Sequence, residues 1–278
     1  MTRSVGGVFR RIATRVRHAK ALHALEPAWR LLHTPYRAVL GVLSRGRGVE
    51  VTVGGESMRL GLAYAGVSWE TVERASYAAY RAACAPGGVI VDVGAHVGTY
   101  TVIGARAVGA TGLVLAFEPV PGTRAALERH LAWNLSSHGN AARVVVRPVA
   151  LGATAGEVTL YLTADEGDAE ASPVERTGAR PITVPRSTVD VELAAIGRHV
   201  TLLKIDVEGQ ELAVLAGASR TLATDRPVVL VSAHPAALAA AAGAGEDDVV
   251  RALAAHGYAV RVLARDHEVH LLATPPVR

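Results

Sequence analysis

Three short stretches of this 278-residue chain carry the residue types that could do chemistry. The first runs Val89-Ile90-Val91-Asp92-Val93-Gly94-Ala95-His96-Val97-Gly98, an apolar run that meets an acid and then two glycines four apart. The second is Glu118-Pro119, closing the apolar run Leu113 to Phe117. The third is Lys204-Ile205-Asp206-Val207-Glu208-Gly209, with His234 following a further apolar run. Each reads as a buried strand whose tip presents a carboxylate, and in open α/β sheets ligands sit outside the carboxyl ends of the strands. A purely structural sheet has no reason to gather carboxylates there, since each must be hydrated or paired.

The first tip has the makings of a cofactor loop. Gly94 and Gly98 allow backbone to approach a ligand closely. A helix that opens behind them offers free N–H groups and a positive dipole end. The loop lacks the G-x-G-x-x-G dinucleotide fingerprint, having His96 where a middle glycine would stand, and the chain contains no G-x-x-x-x-G-K-[ST] phosphate loop. Glu118 lies 20 residues beyond Gly98, where an acid accepts hydrogen bonds from a ribose diol. An adenosine without a pyrophosphate fits this pattern, and S-adenosylmethionine is such a ligand, with a ribose for Glu118 and a sulfonium for an acidic site.

At the other tips, Asp206, Glu208 and His234 are candidates to orient an acceptor hydroxyl and take its proton, work that needs a positioned nucleophile and a base. The same three could instead hold a divalent cation that orients a substrate diol, though no metal centre is assigned from the sequence. Plainer roles compete. Asp92 could cap its own loop, Glu118 could cap the following helix, Glu208 could pair with Lys204 or Arg220, and His234 could cap the helix after it.

Taken together, DVGAHVGTYT, FEPVP, ALG and LLKIDVEGQELAVLAGA resemble the FkbM-type family of S-adenosylmethionine-dependent methyltransferases, over about residues 89–235. The KIDVEG block is the specific part, since many class I methyltransferases share the glycine loop. The resemblance implies a Rossmann-like class I methyltransferase sheet, S-adenosylmethionine as cofactor, and O-methylation of a sugar, glycolipid or natural-product acceptor. On this reading Asp92, Gly94, His96, Gly98, Glu118, Pro119 and Asp206 hold the cofactor, and Asp206, Glu208 and His234 address the acceptor. The family leads one to expect an acid near Ser232, where this chain has Val231-Ser232-Ala233-His234-Pro235.

Strands and helices must alternate to position these tips. Strands are expected at 89–93, 113–118, 143–149, 201–206 and 227–232, with helices at 99–108, 123–136 (Thr123 as N-cap), 209–222 and 246–256. A closing pair of strands at 258–264 and 268–273 makes the last one antiparallel in a mostly parallel sheet. Within the irregular middle, 157–162 reads as a strand, 181–185 as an extended piece, and 164–180 as a polar loop that could close over the site. Upstream, Val49, Val51 and Val53 alternate with polar residues before Gly54-Gly55, the pattern of a β-hairpin. Residues 69–84 read as a helix. Apolar residues from Phe9 to Leu43 recur in threes and fours with arginines between them, an amphipathic helical segment. The domains are therefore drawn at 1–47 (basic helical extension), 48–88 (hairpin and helix preamble) and 89–278 (methyltransferase domain).

Composition excludes several classes. Residues 1–47 hold ten of the 29 basic residues and one of the 25 acids; nineteen and twenty-four remain for 48–278, a net charge of −5. A basic face for nucleic acid is therefore not expected on the catalytic domain, while residues 1–47 read first as a helical cap with a solvated basic face, and alternatively as a contact for an anionic membrane surface or acidic partner, or as a transit peptide. The single Cys84 rules out an internal disulfide framework and suits a reducing, cytoplasmic setting. Residues 227–245 lack Asp, Glu, Lys and Arg, but His234-Pro235 interrupts them, so a strand followed by an Ala-rich helix is expected rather than a membrane span. No G-x-S-x-G elbow or H-E-x-x-H zinc motif is present. Two other classes stay open: a nicotinamide-dependent oxidoreductase, which Glu118 tolerates, and a non-catalytic relative that binds a partner through residues 1–47.

Overall fold

The apolar run Val89–Val93 is buried along its whole length, the mark of a strand covered on both faces. It lies at the centre of a seven-stranded sheet in a computed structural model that describes residues 48–64, 67–69, 71–136, 138–162, 171–174, 178–266 and 268–276. The basic amphipathic segment read at 1–47 lies outside the described residues.

The strands of this sheet are β3 (Val89–Val93), β4 (Leu113–Phe117), β5 (Arg143–Arg147), β10 (Leu202–Asp206), β11 (Val228–Ala233), β12 (Ala259–Arg265) and β13 (Val269–Thr274). Their order is β12-β13-β11-β10-β3-β4-β5. All neighbouring pairs from β11 to β5 are parallel, whereas β13 runs antiparallel to both β11 and β12. The expected closing hairpin strand is thus present, inserted between β12 and β11. The strand order reverses between β10 and β3, the switch point at which open α/β sheets bind ligands.

Period-two alternation sorts the side chains of each strand into two layers. Val89, Val91, Val93, Leu203 and Ile205 face one core, with Val214, Leu222, Leu238 and Leu253 from the later helices. Ile90 and Leu202 face the other, with Tyr77, Tyr80, Tyr100, Ile103 and Leu127. The helices of this second layer are α1 (Arg74–Ala83), α2 (Thr99–Val108) and α3 (Pro121–Leu135). Those of the first are α4 (Val189–Leu193), α5 (Glu211–Ala216), α6 (Ser219–Thr224), α7 (Pro235–Ala242) and α8 (Glu246–Ala255).

The expected hairpin forms as β1 (Val49–Val53) and β2 (Glu56–Leu60), turning at Gly54-Gly55. It is fastened to α3: the Arg59 N–H donates to Asn134 Oδ1 at 2.8 Å, and Gly61 N–H donates to His130 Nε2 at 2.8 Å. The other ring nitrogen of His130 therefore carries the proton and donates to the Val97 carbonyl at 2.8 Å. Burial lowers the His130 pKa, which keeps that neutral tautomer in place. One histidine thus ties the hairpin to the glycine loop.

Several boundaries differ from the sequence expectation. Helix α1 begins at Arg74 rather than near Trp69, because Glu73 adopts a left-handed conformation that helices do not continue through. Helix α3 starts at Pro121, so Thr123 lies inside it and Val120 is the N-cap; proline's fixed φ suits the first helical turn. The helix expected over 209–222 divides into α5 and α6. Segments 157–162 and 181–185 belong to a second sheet of β6 (Ala150–Leu151), β9 (Arg180–Ser187), β7 (Gly156–Leu162) and β8 (Ala171–Ser172), ordered β6-β9-β7-β8. Ala171 and Ser172 thus pair with β7 inside the expected polar loop, most of which lies outside the described residues. The uncharged span at 227–245 is β11 followed by α7, as expected, and no helix among the described residues is long and apolar enough to cross a membrane.

Candidate active site

Parallel register and alternation together explain the centre of the site. Lys204 on β10 is register-paired with Asp92 on β3, and both leave the sheet on the α1–α3 side. Lys204 Nζ lies 3.3 Å from Asp92 Oδ1 and 3.4 Å from Asp206 Oδ2, and it donates to the Gly94 carbonyl at 2.8 Å. The ring of Tyr100 covers it, 5.2 Å from the ammonium. Burial alone would lower the pKa of Lys204, but Asp92 and Asp206 outweigh it and raise it, so the ammonium keeps its charge. Asp92 is wholly buried and accepts a 2.6 Å hydrogen bond from Thr101 Oγ1 of α2. Its two oxygens therefore face Lys204 and the helix behind the loop.

The glycine loop fits against this centre. Gly94 has φ +72°, and a Cβ there would collide with the Asp206 carbonyl, so only glycine lets the first and fourth strand tips touch. Gly98 has φ +88° at the N-cap of α2, and a Cβ there would run into Leu127. Between them His96 also has positive φ, 49°. Its N–H donates to Glu118 Oε2 at 2.9 Å, while Val120 N–H donates to Glu118 Oε1 at 2.9 Å. Glu118 thus braces the loop and caps the entry to α3 at once. Burial raises its pKa to about 7, although these two N–H groups and Lys204 favour the ionised form. Pro119 follows, and its carbonyl accepts from Arg124 at 3.2 Å.

On the other side of Asp206 stands His234, just past the end of β11. Its Nδ1 donates to Glu211 Oε1 at 2.9 Å. Its Nε2 lies 2.9 Å from Glu268 Oε2, 3.4 Å from Glu208 Oε1 and 3.7 Å from Asp206 Oδ1. With a carboxylate at each nitrogen the ring is an imidazolium. Burial opposes that charge, but Glu211, Glu268, Asp206 and Glu208 push the pKa up to about 11. Burial likewise opposes ionisation of Asp206, yet Lys204 and His234 hold its carboxyl below the usual range. Glu73 reaches the same cluster from the start of α1 and accepts from Tyr100 Oη at 2.8 Å. Burial, and then Asp206, raise its pKa.

The three tips named from sequence therefore converge, and Asp206 stands between the loop and His234. The plainer alternatives divide. Glu118 does serve a helix start, but Arg220 is taken by Asp190, Lys204 pairs with Asp92 and Asp206, and His234 makes no side-chain cap. Sequence reasoning missed Lys204 as the centre, together with Glu211, Glu268, Glu73 and Tyr100. Glu268 was accessible: alternation puts it on one face of β13 with His270, which pairs in register with Ser232 and lies 3.2 Å from its hydroxyl. Away from the site, Cys84 is half-buried and burial raises its thiol pKa to about 12, so it is an inert apolar filler. A cavity of about 630 Å³ lined by Glu56, Arg81, Cys84, Arg106 and His138 lies at the opposite end of α2, and its arginines already pair with Glu56.

This strand order, with a glycine loop and acids at the switch point, defines a Rossmann-like class I methyltransferase fold. Residues 92–260 match the methyltransferase FkbM domain, and the chain belongs to that family. Among solved structures it is similar to the FkbM methyltransferase of Methylobacillus flagellatus KT, at 18% identity and TM-score 0.47, over 68% of this chain and 44% of that one. The chain thus spans less than half the length of that relative. It is also similar to a precorrin-6y C5,15-methyltransferase of Geobacter metallireducens GS-15, at 12% identity and TM-score 0.44, over 73% of this chain and 88% of that one. A third likeness is to Aeropyrum pernix fibrillarin, solved with S-adenosyl-L-methionine, at 15% identity and TM-score 0.41, over 70% and 76% of the two chains. No curated protein matches.

Proposed function

We propose that the chain is an S-adenosylmethionine-dependent methyltransferase that methylates a hydroxyl oxygen of a small acceptor: a sugar, glycolipid or natural product. The observation that carries this reading is the bond from His96 N–H to Glu118 Oε2, which places a buried carboxylate against the glycine loop at the sheet's switch point. Such a carboxylate suits a ribose diol, since hydroxyl donors satisfy the charge that burial penalises. Gly94, His96, Gly98, Glu118 and Pro119 hold the adenosyl group, and Asp92 acts through Lys204 and Thr101 to fix the loop. Asp206 faces the junction of cofactor and acceptor. The cofactor supplies an electrophilic methyl on a sulfonium.

The acceptor's oxygen is then addressed by Asp206, Glu208 and His234. The charged ring of His234 donates and cannot itself accept a proton, so the base is a carboxylate. Glu208 is the more exposed of the two, with 28% of its side chain accessible, and it takes the proton as the carbon–oxygen bond forms. The domain division at 47/48 and 88/89 belongs to the same reading, with 89–278 as the catalytic unit and 1–47 as a candidate membrane or acidic-partner contact.

Titration calorimetry with S-adenosylmethionine, S-adenosylhomocysteine and NAD tests this, on the wild type and Glu118→Ala. Micromolar binding of both adenosyl ligands is expected, weakened in the variant by about 1.5–3 kcal/mol. Binding of NAD alone would move the chain to the oxidoreductases.

A further inference from the structure

Among the described residues, one atom of Asp206, of His234 and of Glu268 lie within 4.8 Å of one another at the tips of β10, β11 and β13. His234 Nε2 is the shared vertex, 2.9 Å from Glu268 Oε2 and 3.7 Å from Asp206 Oδ1, with Glu208 Oε1 at 3.4 Å. Neighbouring ligands around an octahedral cation with bonds of about 2.1 Å are separated by about 3.0 Å. The three groups are thus already at near-ligand spacing, and small side-chain shifts would seat an ion between them.

An independent feature lies on the far side of the ring. A metal-bound imidazole nearly always gives its second N–H to a carboxylate, which fixes the tautomer and aims the free nitrogen at the ion. Glu211 does this here, at 2.9 Å from Nδ1. Glu211 is wholly buried, and its second oxygen has no hydrogen-bond partner among the described residues. A wholly buried carboxylate behind the ring adds negative charge that favours a cation at the ring's other nitrogen. Glu211 also accepts from Gly209 N–H at 3.1 Å, which ties this dyad to the turn that carries Glu208.

We propose that Asp206, His234 and Glu268 bind a divalent cation of the Mn²⁺ type, which displaces the His234 Nε2 proton to solvent while Nδ1–H stays on Glu211, the positioning residue behind the histidine. Mixed imidazole and carboxylate donors favour a first-row transition ion over Ca²⁺. Glu208 remains beside the ion as the base. The ion's service to the acceptor's oxygen, as a Lewis acid that eases its deprotonation, rests on the methyl-transfer reading above. The existence of the site does not.

The test is Mn²⁺ binding by the full chain, followed by electron paramagnetic resonance and calorimetry in the absence of other ligands. One ion per chain is expected. Glu268→Gln should weaken it at least 10-fold, and Glu211→Gln by about 10–100-fold. In the wild type, substoichiometric Mn²⁺ should broaden the ring signals of His234 and His270 before those of His199 and His256, a readout that needs no variant. Absence of binding at millimolar Mn²⁺, or broadening centred on His199 or His256, would overturn the site. Mn²⁺ binding without S-adenosylmethionine binding would keep the site and sink the methyltransferase reading, and the reverse result would do the opposite.

Discussion

Glu211 Oε1 holds the inner nitrogen of His234 at 2.9 Å while the outer nitrogen faces Glu268, Glu208 and Asp206. The ring cannot rotate without breaking the Glu211 contact. Glu211→Gln keeps the shape and removes the charge. His234 should then titrate well below its value of about 11, and methyl transfer should fall by about 10–100-fold. Ring resonances followed against pH, beside initial rates, measure both.

Lys204 neutralises two carboxylates from inside the fold. Lys204→Met should leave Asp92 buried without a counter-charge and Asp206 with His234 alone, and cost about 3–5 kcal/mol. Adding Asp92→Asn should recover part of that loss. A double-mutant cycle by denaturant unfolding checks the coupling, and simple additivity would contradict the shared ammonium.

Glu118 gives a pH signature. Its folded pKa of about 7 lies above the ordinary carboxylate value, so the folded chain holds that proton more tightly than the unfolded chain. Its contribution is complete below pH about 4.5 and is lost as pH rises to about 7, a change of about 3 kcal/mol. Glu118→Gln should flatten this part of the stability profile. Cofactor affinity should run the other way, rising through pH 7 as the carboxylate ionises and accepts the ribose hydroxyls. Calorimetry from pH 5.5 to 8.5 would show it.

Gly94 meets two demands at once, positive φ and contact with the Asp206 carbonyl. Gly94→Ala should therefore separate the first and fourth strand tips. A loss of about 1–3 kcal/mol in stability is expected, with cofactor binding weakened further. Gly122→Ala, at an open position in the first turn of α3, is the control and should leave cofactor binding unchanged and stability unchanged or slightly raised. Thermal melts with and without S-adenosylhomocysteine compare them.

Much of this was legible from the residues. The buried runs around Asp92, Glu118 and Asp206 announced strands, and glycines or acids after each announced the tips. The antiparallel closing strand followed from turn residues at 265–267. Other features depend on what lies beside a residue rather than before or after it. Lys204 looked like an ordinary flank of Asp206 until register set it against Asp92, 112 positions earlier in the chain. Glu268 comes from the closing hairpin, and only the antiparallel pairing of β13 with β11 sets it beside His234. Helix α1 starts later than its apolar pattern implies because the left-handed turn at Glu73 has no sequence marker, glycine being the residue expected there.

Glu268 also sets an order of events. Asp92, Glu118, Asp206 and His234 all leave the ribosome before it, and β13 must insert between β12 and β11, so a nascent chain that stops short of β13 can own its glycine loop but not its closed acid cluster. Newly made protein would acquire its glycine loop first and its closed acid cluster only when the β12–β13 hairpin latches into the sheet.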